Sequence, residues 1–239
     1  MTSAETSRFI VGVVGDIISF FLFASPSPTI FRIYKNKSSE GFLPDPYCAT
    51  VLNCLLWIFY GLPFVTPDQA LVVVINSIGL ALELIYLTVF FIYTDSKRRC
   101  RIIICLTTEV VFFAAIVLAT LLGFHIHHRR NMFVGLFCVI FGIIMYASPL
   151  TKMWDVIRTK SVEYMPFWLS VASFCNGAIW LTYALIKFDL YIMIGNGVGA
   201  LFGLSQLILY ACYYKSTPKK DDEKPSEVQL QNAPVRVAA

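Results

Sequence analysis

Charge is the scarcest feature of this sequence. Asp, Glu, Lys and Arg make up 14% of its 239 residues and the mean hydropathy is +0.69, where an ordinary soluble domain carries about 25% charged residues. No soluble core of this size hides that much apolar surface, so a water-soluble globule is excluded. Metal-ligand spacing is missing among the seven cysteines (Cys48, Cys54, Cys100, Cys105, Cys138, Cys175, Cys212), most of which fall in or beside apolar stretches. They read as small packing residues. Also absent are a nucleophile, base and orienter in one constellation, and any lysine in the last apolar stretch before Lys215. An enzyme and a retinal Schiff base are thereby set aside, and no cofactor is expected.

What the chain has instead is seven apolar stretches: Phe9–Phe31, Asp45–Leu62, Ala70–Tyr93, Arg101–Phe124, Met132–Trp154, Met165–Ile186 and Leu190–Tyr214. Each is about the 20 residues that cross a hydrocarbon core as a helix. They are continuously apolar, without the alternation of membrane strands, so helices are expected rather than a barrel. The first stretch has only Arg8 as a basic residue before it and contains Pro26 and Pro28, which reads as a retained helix rather than a removed signal.

The basic residues alternate in side. Arg32, Lys35 and Lys37 follow span one, Lys97, Arg98, Arg99 and Arg101 follow span three, Lys152, Arg158 and Lys160 follow span five, and Lys215, Lys219, Lys220 and Lys224 follow span seven. The opposite side has Arg8, Arg129, Arg130 and Lys187. Basic residues favour the cytoplasm, so the N-terminus is expected outside and the C-terminus inside. The net charge of +4 is then topological and implies no nucleic-acid partner.

The sequence also repeats. A shift of 123 positions lays Ala24-Ser25-Pro26 on Ala147-Ser148-Pro149, Lys37-Ser38 on Lys160-Ser161, Glu40 on Glu163, Asn53 on Asn176, Trp57 on Trp180 and Tyr60 on Tyr183. A shift of 120 lays Pro46 on Pro166, Asn76 on Asn196 and Gly79 on Gly199. Matches in Pro, Asn, Trp and Lys at fixed offsets are hard to obtain by chance. Spans one to three therefore recur as spans five to seven. The odd fourth span restores the chain direction, which makes the repeat parallel, a construction known among transporters with a midplane site. The expected layout is an outer N-terminus (1–8), a first three-helix repeat (9–93), a linker helix with its loops (94–130), a second repeat (131–214) and a disordered cytoplasmic tail (215–239).

The strings ASPSPTIFRIYKNKSSEGF, DPYCATVLNCLLWIFYGLP, VINSIG, MYASPLTKMWDVIRTKSVEYMPF and IGNGVG resemble the two repeated domains of plant SWEET sugar transporters, over nearly all of residues 9 to 214. ALIKFDLYIMIGNGVG and LILYACYYKSTPK further resemble the hexose-transporting branch of the plasma membrane, with the vacuolar membrane as alternative. The resemblance implies an all-α fold of seven spans in a 3+1+3 arrangement. It also implies facilitated, bidirectional transport of a monosaccharide, glucose foremost, and assembly as a homo-oligomer or with relatives in the lipid bilayer.

Four prolines, Pro26, Pro46, Pro149 and Pro166, lie toward the basic ends of spans one, two, five and six. A proline removes a helix hydrogen bond and crowds the preceding turn, so a repeat-related set reads as hinges of an inner gate. Asn76 and Asn196 lie inside the third helix of each half, where an amide must find a partner, and their pairing favours a central site in which amides donate to and accept from sugar hydroxyls. Trp57 and Trp180 offer flat faces to a pyranose, one turn beyond Asn53 and Asn176. Leu22, Asn53, Met145 and Asn176 match the family positions that separate hexose from sucrose carriers, and the bulky set here implies a hexose. Cys175 approaches the same region but reads as a packing residue.

Tyr60 and Asp189 sit near the outer ends of spans two and seven, where a phenol-to-carboxylate hydrogen bond would close the outside entrance. Asp16, Glu83 and Glu109 are the intramembrane acids; proton coupling is the reading they invite, although they form no repeat-related set. His125, His127 and His128 read as a solvated outer turn rather than a metal site. Ser216, Thr217 and Ser226 are candidate phosphorylation sites. Two alternatives to a uniporter stay open: a proton-coupled carrier and a seven-helix receptor.

Overall fold

The computed structural model describes residues 3–39, 41–163 and 165–217, the side chains of Ala147 and Ser148 excepted. Glu40 of the repeat, the basic residues Lys219, Lys220 and Lys224, the tail from 218 onward and its Ser226 lie outside the described residues. The α-helices are α1 (Ser3–Ala24), α2 (Ser27–Asn36), α3 (Asp45–Gly61), α4 (Ala70–Tyr93), α5 (Ser96–Gly123), α6 (His127–Met145), α7 (Ala147–Thr159), α8 (Phe167–Ile186) and α9 (Leu190–Tyr213). There is no strand among the described residues. α1 with α2, and α6 with α7, are spans one and five, each broken once, so the elements amount to seven membrane helices. Six of these spans are long and apolar enough to cross a bilayer. The seventh, α3, has 17 residues, about 26 Å at 1.5 Å per residue, the short end of what suffices.

The two breaks have local causes. Pro26 has no N–H to give to the Leu22 carbonyl, which instead accepts Ser25 N at 3.1 Å and Ser25 Oγ at 2.7 Å. Pro149 likewise withholds a donor from Met145, and the chain turns at Tyr146 before Leu150 N resumes helical pairing with Tyr146 O at 3.0 Å. Pro46 and Pro166 behave differently. Pro46 is the second residue of α3 and Pro166 precedes the first residue of α8, positions whose N–H has no helical partner in any case. The expectation that all four remove a helix hydrogen bond therefore holds for two.

The halves correspond down to backbone and single contacts. Lys37 and Lys160 end α2 and α7 in the left-handed conformation, at φ 53° and 56°. Lys37 Nζ donates to Tyr93 Oη at 3.0 Å and Lys160 Nζ to Tyr213 Oη at 3.1 Å. Within each half the third helix packs between the other two: α4 on α1 and α3, α9 on α6 and α8. Between halves the contacts are reciprocal, α1 on α8 and α3 on α6, and α5 leans on α3. The closest crossing is α8 on α9, where a Cβ on Gly177 would stand 2.5 Å from the Ala200 nitrogen, so only glycine fits there.

Among the described residues, buried apolar clusters join the halves at one end and not at the other. At the end carrying the N-terminus, a single cluster contains Leu52, Leu56, Val72 and Ile75 of one half with Trp180, Ala184 and Ile192 of the other. At the opposite end the cores are separate: Ile33, Val51 and Phe90 belong to one cluster and Val156, Val162 and Met165 to another. Outward-facing Phe21, Val111, Leu122, Trp168 and Leu201 are exposed, as expected of surfaces that meet lipid. The result is a bundle sealed at its N-terminal face and divided at the other.

Candidate functional site

Between the halves lies a cavity of about 460 Å³, within the roughly 300–1,000 Å³ of small-molecule sites. Its wall includes Leu22, Asn53, Trp57, Asn76, Met145, Asn176, Trp180 and Asn196, and also Pro26 and Pro149. Pro46, Pro166 and Cys175 do not line it. The paired asparagines are held alike: Asn76 Nδ2 donates to Val72 O at 2.8 Å and Asn196 Nδ2 to Ile192 O at 3.0 Å. One N–H of each amide thus answers its own helix, and the oxygen is left as an acceptor for hydroxyls.

Each asparagine is followed three residues on by a glycine covered by an aromatic ring. A Cβ on Gly79 would stand 2.5 Å from Phe23, and one on Gly199 would collide with the Tyr146 hydroxyl. Phe23 and Tyr146, themselves 123 positions apart, line the cavity beside the helix breaks.

The indoles connect the cavity to the sealed face. Trp57 meets Tyr60 edge-to-face at 5.4 Å between ring centres, and Trp180 meets Tyr183 at 5.1 Å. Tyr60 Oη donates to the Asp189 carboxylate, 2.8 Å from Oδ1 and 2.9 Å from Oδ2, and the side chains are buried. Asp189 also caps α9, accepting Tyr191 N and Ile192 N at 3.1 Å. Gln69 Nε2 donates to Asp189 Oδ2 at 2.8 Å, and Asn131 Nδ2 donates to Tyr60 Oη and Thr66 Oγ1, both at 2.8 Å.

A counterpart closes the ring. Tyr183 Oη donates to Gln69 Oε1 at 3.1 Å, and Arg8 Nη2 donates to the same oxygen at 2.9 Å with its guanidinium 4.2 Å from the Tyr183 ring centre. The shift of 123 carries Arg8 to Asn131 and Tyr60 to Tyr183, and the shift of 120 carries Gln69 to Asp189. The seal is therefore two-fold in pattern with different chemistry on each side. At its rim Lys187 pairs with Asp68, holding that carboxyl below the usual range by hydrogen bond and charge.

The repeat recurs in the family comparison, where the model described as "Sugar efflux transporter for intercellular exchange" matches residues 9–98 and again 132–218. The chain belongs to the SWEET family. The bidirectional sugar transporter SWEET7b of Oryza sativa subsp. indica is 57% identical over 223 residues, 93% of this chain and 84% of that one. SWEET4 of Arabidopsis thaliana is 56% identical over 222 residues, 93% and 88%, and SWEET5 of the same plant 51% over 237 residues, 99% of each. A solved structure of a eukaryotic SWEET transporter superposes with a TM-score of 0.85 at 41% identity, covering 89% of this chain and 99% of that one. The 3+1+3 arrangement of seven membrane helices is thereby established.

Several residues of this SWEET's cavity and seal escape sequence reading. Ser19 and Gly142 line the cavity, beside Glu83, which the sequence already marks as an intramembrane acid. Glu83 is 4% exposed with Oε2 unpartnered. Asp16 does not line the cavity, although its Oδ1 is buried and unpartnered too. Glu109 lies apart, accepting Cys105 Sγ at 3.4 Å. Arg8, Gln69 and Asn131 are visible to the repeat offset but not to identity matching, because their counterparts are different residue types.

Proposed function

We propose that this SWEET chain is a uniporter that carries a hexose, foremost glucose, in either direction by alternating access. The supporting observation is the paired amides and indoles that line the cavity between the halves, sealed at the N-terminal face and divided at the other. Asn76 and Asn196 accept sugar hydroxyls, Trp57 and Trp180 cover C–H faces, and Leu22, Asn53, Met145 and Asn176 set the room for one ring. Tyr60 and Asp189 form the outer gate, and Pro26, Pro46, Pro149 and Pro166 surround the inner one, with hinge motion at the two broken helices. The face carrying the N-terminus is extracellular and the membrane is the plasma membrane, by the distribution of basic residues and the resemblance to relatives. Vesicles containing only this protein should take up labelled glucose to equilibrium and sucrose far more slowly. Equal uptake of the disaccharide would remove the hexose assignment, and no sugar uptake would remove the carrier.

One observation favours a second reading. Glu83 is an unpaired acid on the cavity wall, where a proton carried with the sugar would sit. Accumulation of glucose above its outside concentration under an imposed proton gradient, lost in Glu83→Gln, would make the protein a symporter. If accumulation is lost in Asp16→Asn instead, the coupling acid is the one on α1.

A further inference from the structure

The cavity wall departs from its two-fold pattern at one residue. Ser19 of α1 stands against α8: the Trp180 indole Nε1 donates to Ser19 Oγ at 2.9 Å, and Ser19 Oγ donates to Asn176 Oδ1 at 2.6 Å. The directions are forced, since an indole nitrogen only donates and the one hydroxyl proton must then go to the amide oxygen. Asn176 is thereby locked with its oxygen on Ser19 and its NH2 as donor. The shift of 123 carries Ser19 to Gly142, Asn176 to Asn53 and Trp180 to Trp57.

α6 packs on α3 as α1 packs on α8, so Gly142 takes the place that Ser19 holds in the other half. That place is open: among the described residues, nothing beyond the adjoining stretch of α6 stands within 4 Å of where a Cβ on Gly142 would lie. Asn53, Trp57 and Gly142 all line the cavity. Among the described residues Asn53 Oδ1 is buried without a hydrogen-bond partner, a costly condition for an acceptor, and the soft terminal torsion of asparagine lets that oxygen turn toward the cavity. What the second half lacks, relative to the first, is one –CH2OH group.

We propose that the exocyclic hydroxymethyl group of a hexose supplies it, which makes Gly142 a specificity-determining position. This rests on the hexose-carrier reading above. The C6 hydroxyl donates to Asn53 Oδ1 and accepts from the Trp57 indole, as the Ser19 hydroxyl does with Asn176 and Trp180. The sugar is thus seated in one of two poses that a symmetric cavity would not distinguish. A pentose of the same ring, xylose, leaves Asn53 unmet, and a site built to bond a substrate hydroxyl rejects analogues that lack it.

The test is competition in glucose-preloaded proteoliposomes, with labelled glucose and then labelled xylose as tracer. For the unaltered protein, xylose and 6-deoxyglucose should each compete at least about tenfold more weakly than glucose. Gly142→Ser, which installs the missing group, should weaken glucose at least about tenfold more than it weakens xylose. Gly142→Ala, which fills space without the hydroxyl, should also weaken glucose more than xylose. Equal competition by xylose and glucose in the unaltered protein would overturn the proposal without any variant. So would equal weakening of both sugars in Gly142→Ser and Gly142→Ala. Absence of any glucose counterflow in the unaltered protein is a different result: it overturns the carrier reading and the proposal with it.

Discussion

Tyr60 carries more of the sealed face than its repeat partner Tyr183. Its hydroxyl is given to a buried carboxylate and receives Asn131, whereas Tyr183 donates to the neutral amide of Gln69. Hydrogen bonds to charged groups contribute about 1.5–3 kcal/mol and neutral ones about 0.5–1.5. Tyr60→Phe should therefore shift the balance toward an opened N-terminal face by roughly 10-fold or more, and Tyr183→Phe by less than roughly 10-fold, since 1.4 kcal/mol is about a factor of ten. Spin labels at Phe64 and Phe188, both exposed beside the seal, report the separation by pulsed EPR. Equal shifts in both variants would show that the carboxylate does not set the strength of the gate.

The central amides give a second test at this scale. Asn76→Ala or Asn196→Ala should cut glucose flux to background in protein that still reaches the membrane, because each removes acceptor and donor capacity inside a confined cavity. Normal flux in both would take these residues out of the site. Single residues were legible in the sequence where the two halves kept the same type, as with the paired Asn and Trp. They were illegible where the halves diverged, as with Arg8 and Asn131 or Ser19 and Gly142, because divergence erases the match while the geometry remains.

The helices were legible as apolar stretches, since a bilayer demands about 20 such residues each time. What the stretches could not tell is how a proline acts within them. Pro26 and Pro149 break spans one and five, but Pro46 and Pro166 stand at helix starts where a missing N–H costs nothing. Pro26→Ala and Pro149→Ala should let the helix run through its break and slow exchange by about fivefold or more, as the interior proline effect of roughly 3 kcal/mol allows. Pro46→Ala and Pro166→Ala should change the rate by less than about twofold through the backbone. Single-turnover glucose exchange measures this. Equal slowing in all four would mean that the prolines act by packing at the gate and not by breaking helices.

For the whole molecule, composition and the two repeat offsets already implied seven helices in parallel halves. The closed end was legible only in the Tyr60 and Asp189 pair; the apolar seal was not, because it depends on whether clusters on different halves touch, and no local pattern encodes that. Orientation is tested by tags at the N-terminus and between Phe124 and Asn131, which should be accessible outside intact cells while one after Lys215 is not. Accessibility of the latter would invert the assignment of faces.

The central claim is that two halves alternate around a sugar site of paired amides and indoles, with no second solute coupled to the motion. A coupled carrier needs another site whose occupancy biases the same equilibrium, whereas a uniporter needs none. Glucose counterflow measures this most directly, in proteoliposomes loaded with unlabelled glucose and held with and without an imposed proton gradient. Labelled glucose should enter transiently above its outside concentration, at an initial rate that a protonophore leaves unchanged within about twofold. No counterflow, or counterflow abolished by the protonophore, would contradict the claim.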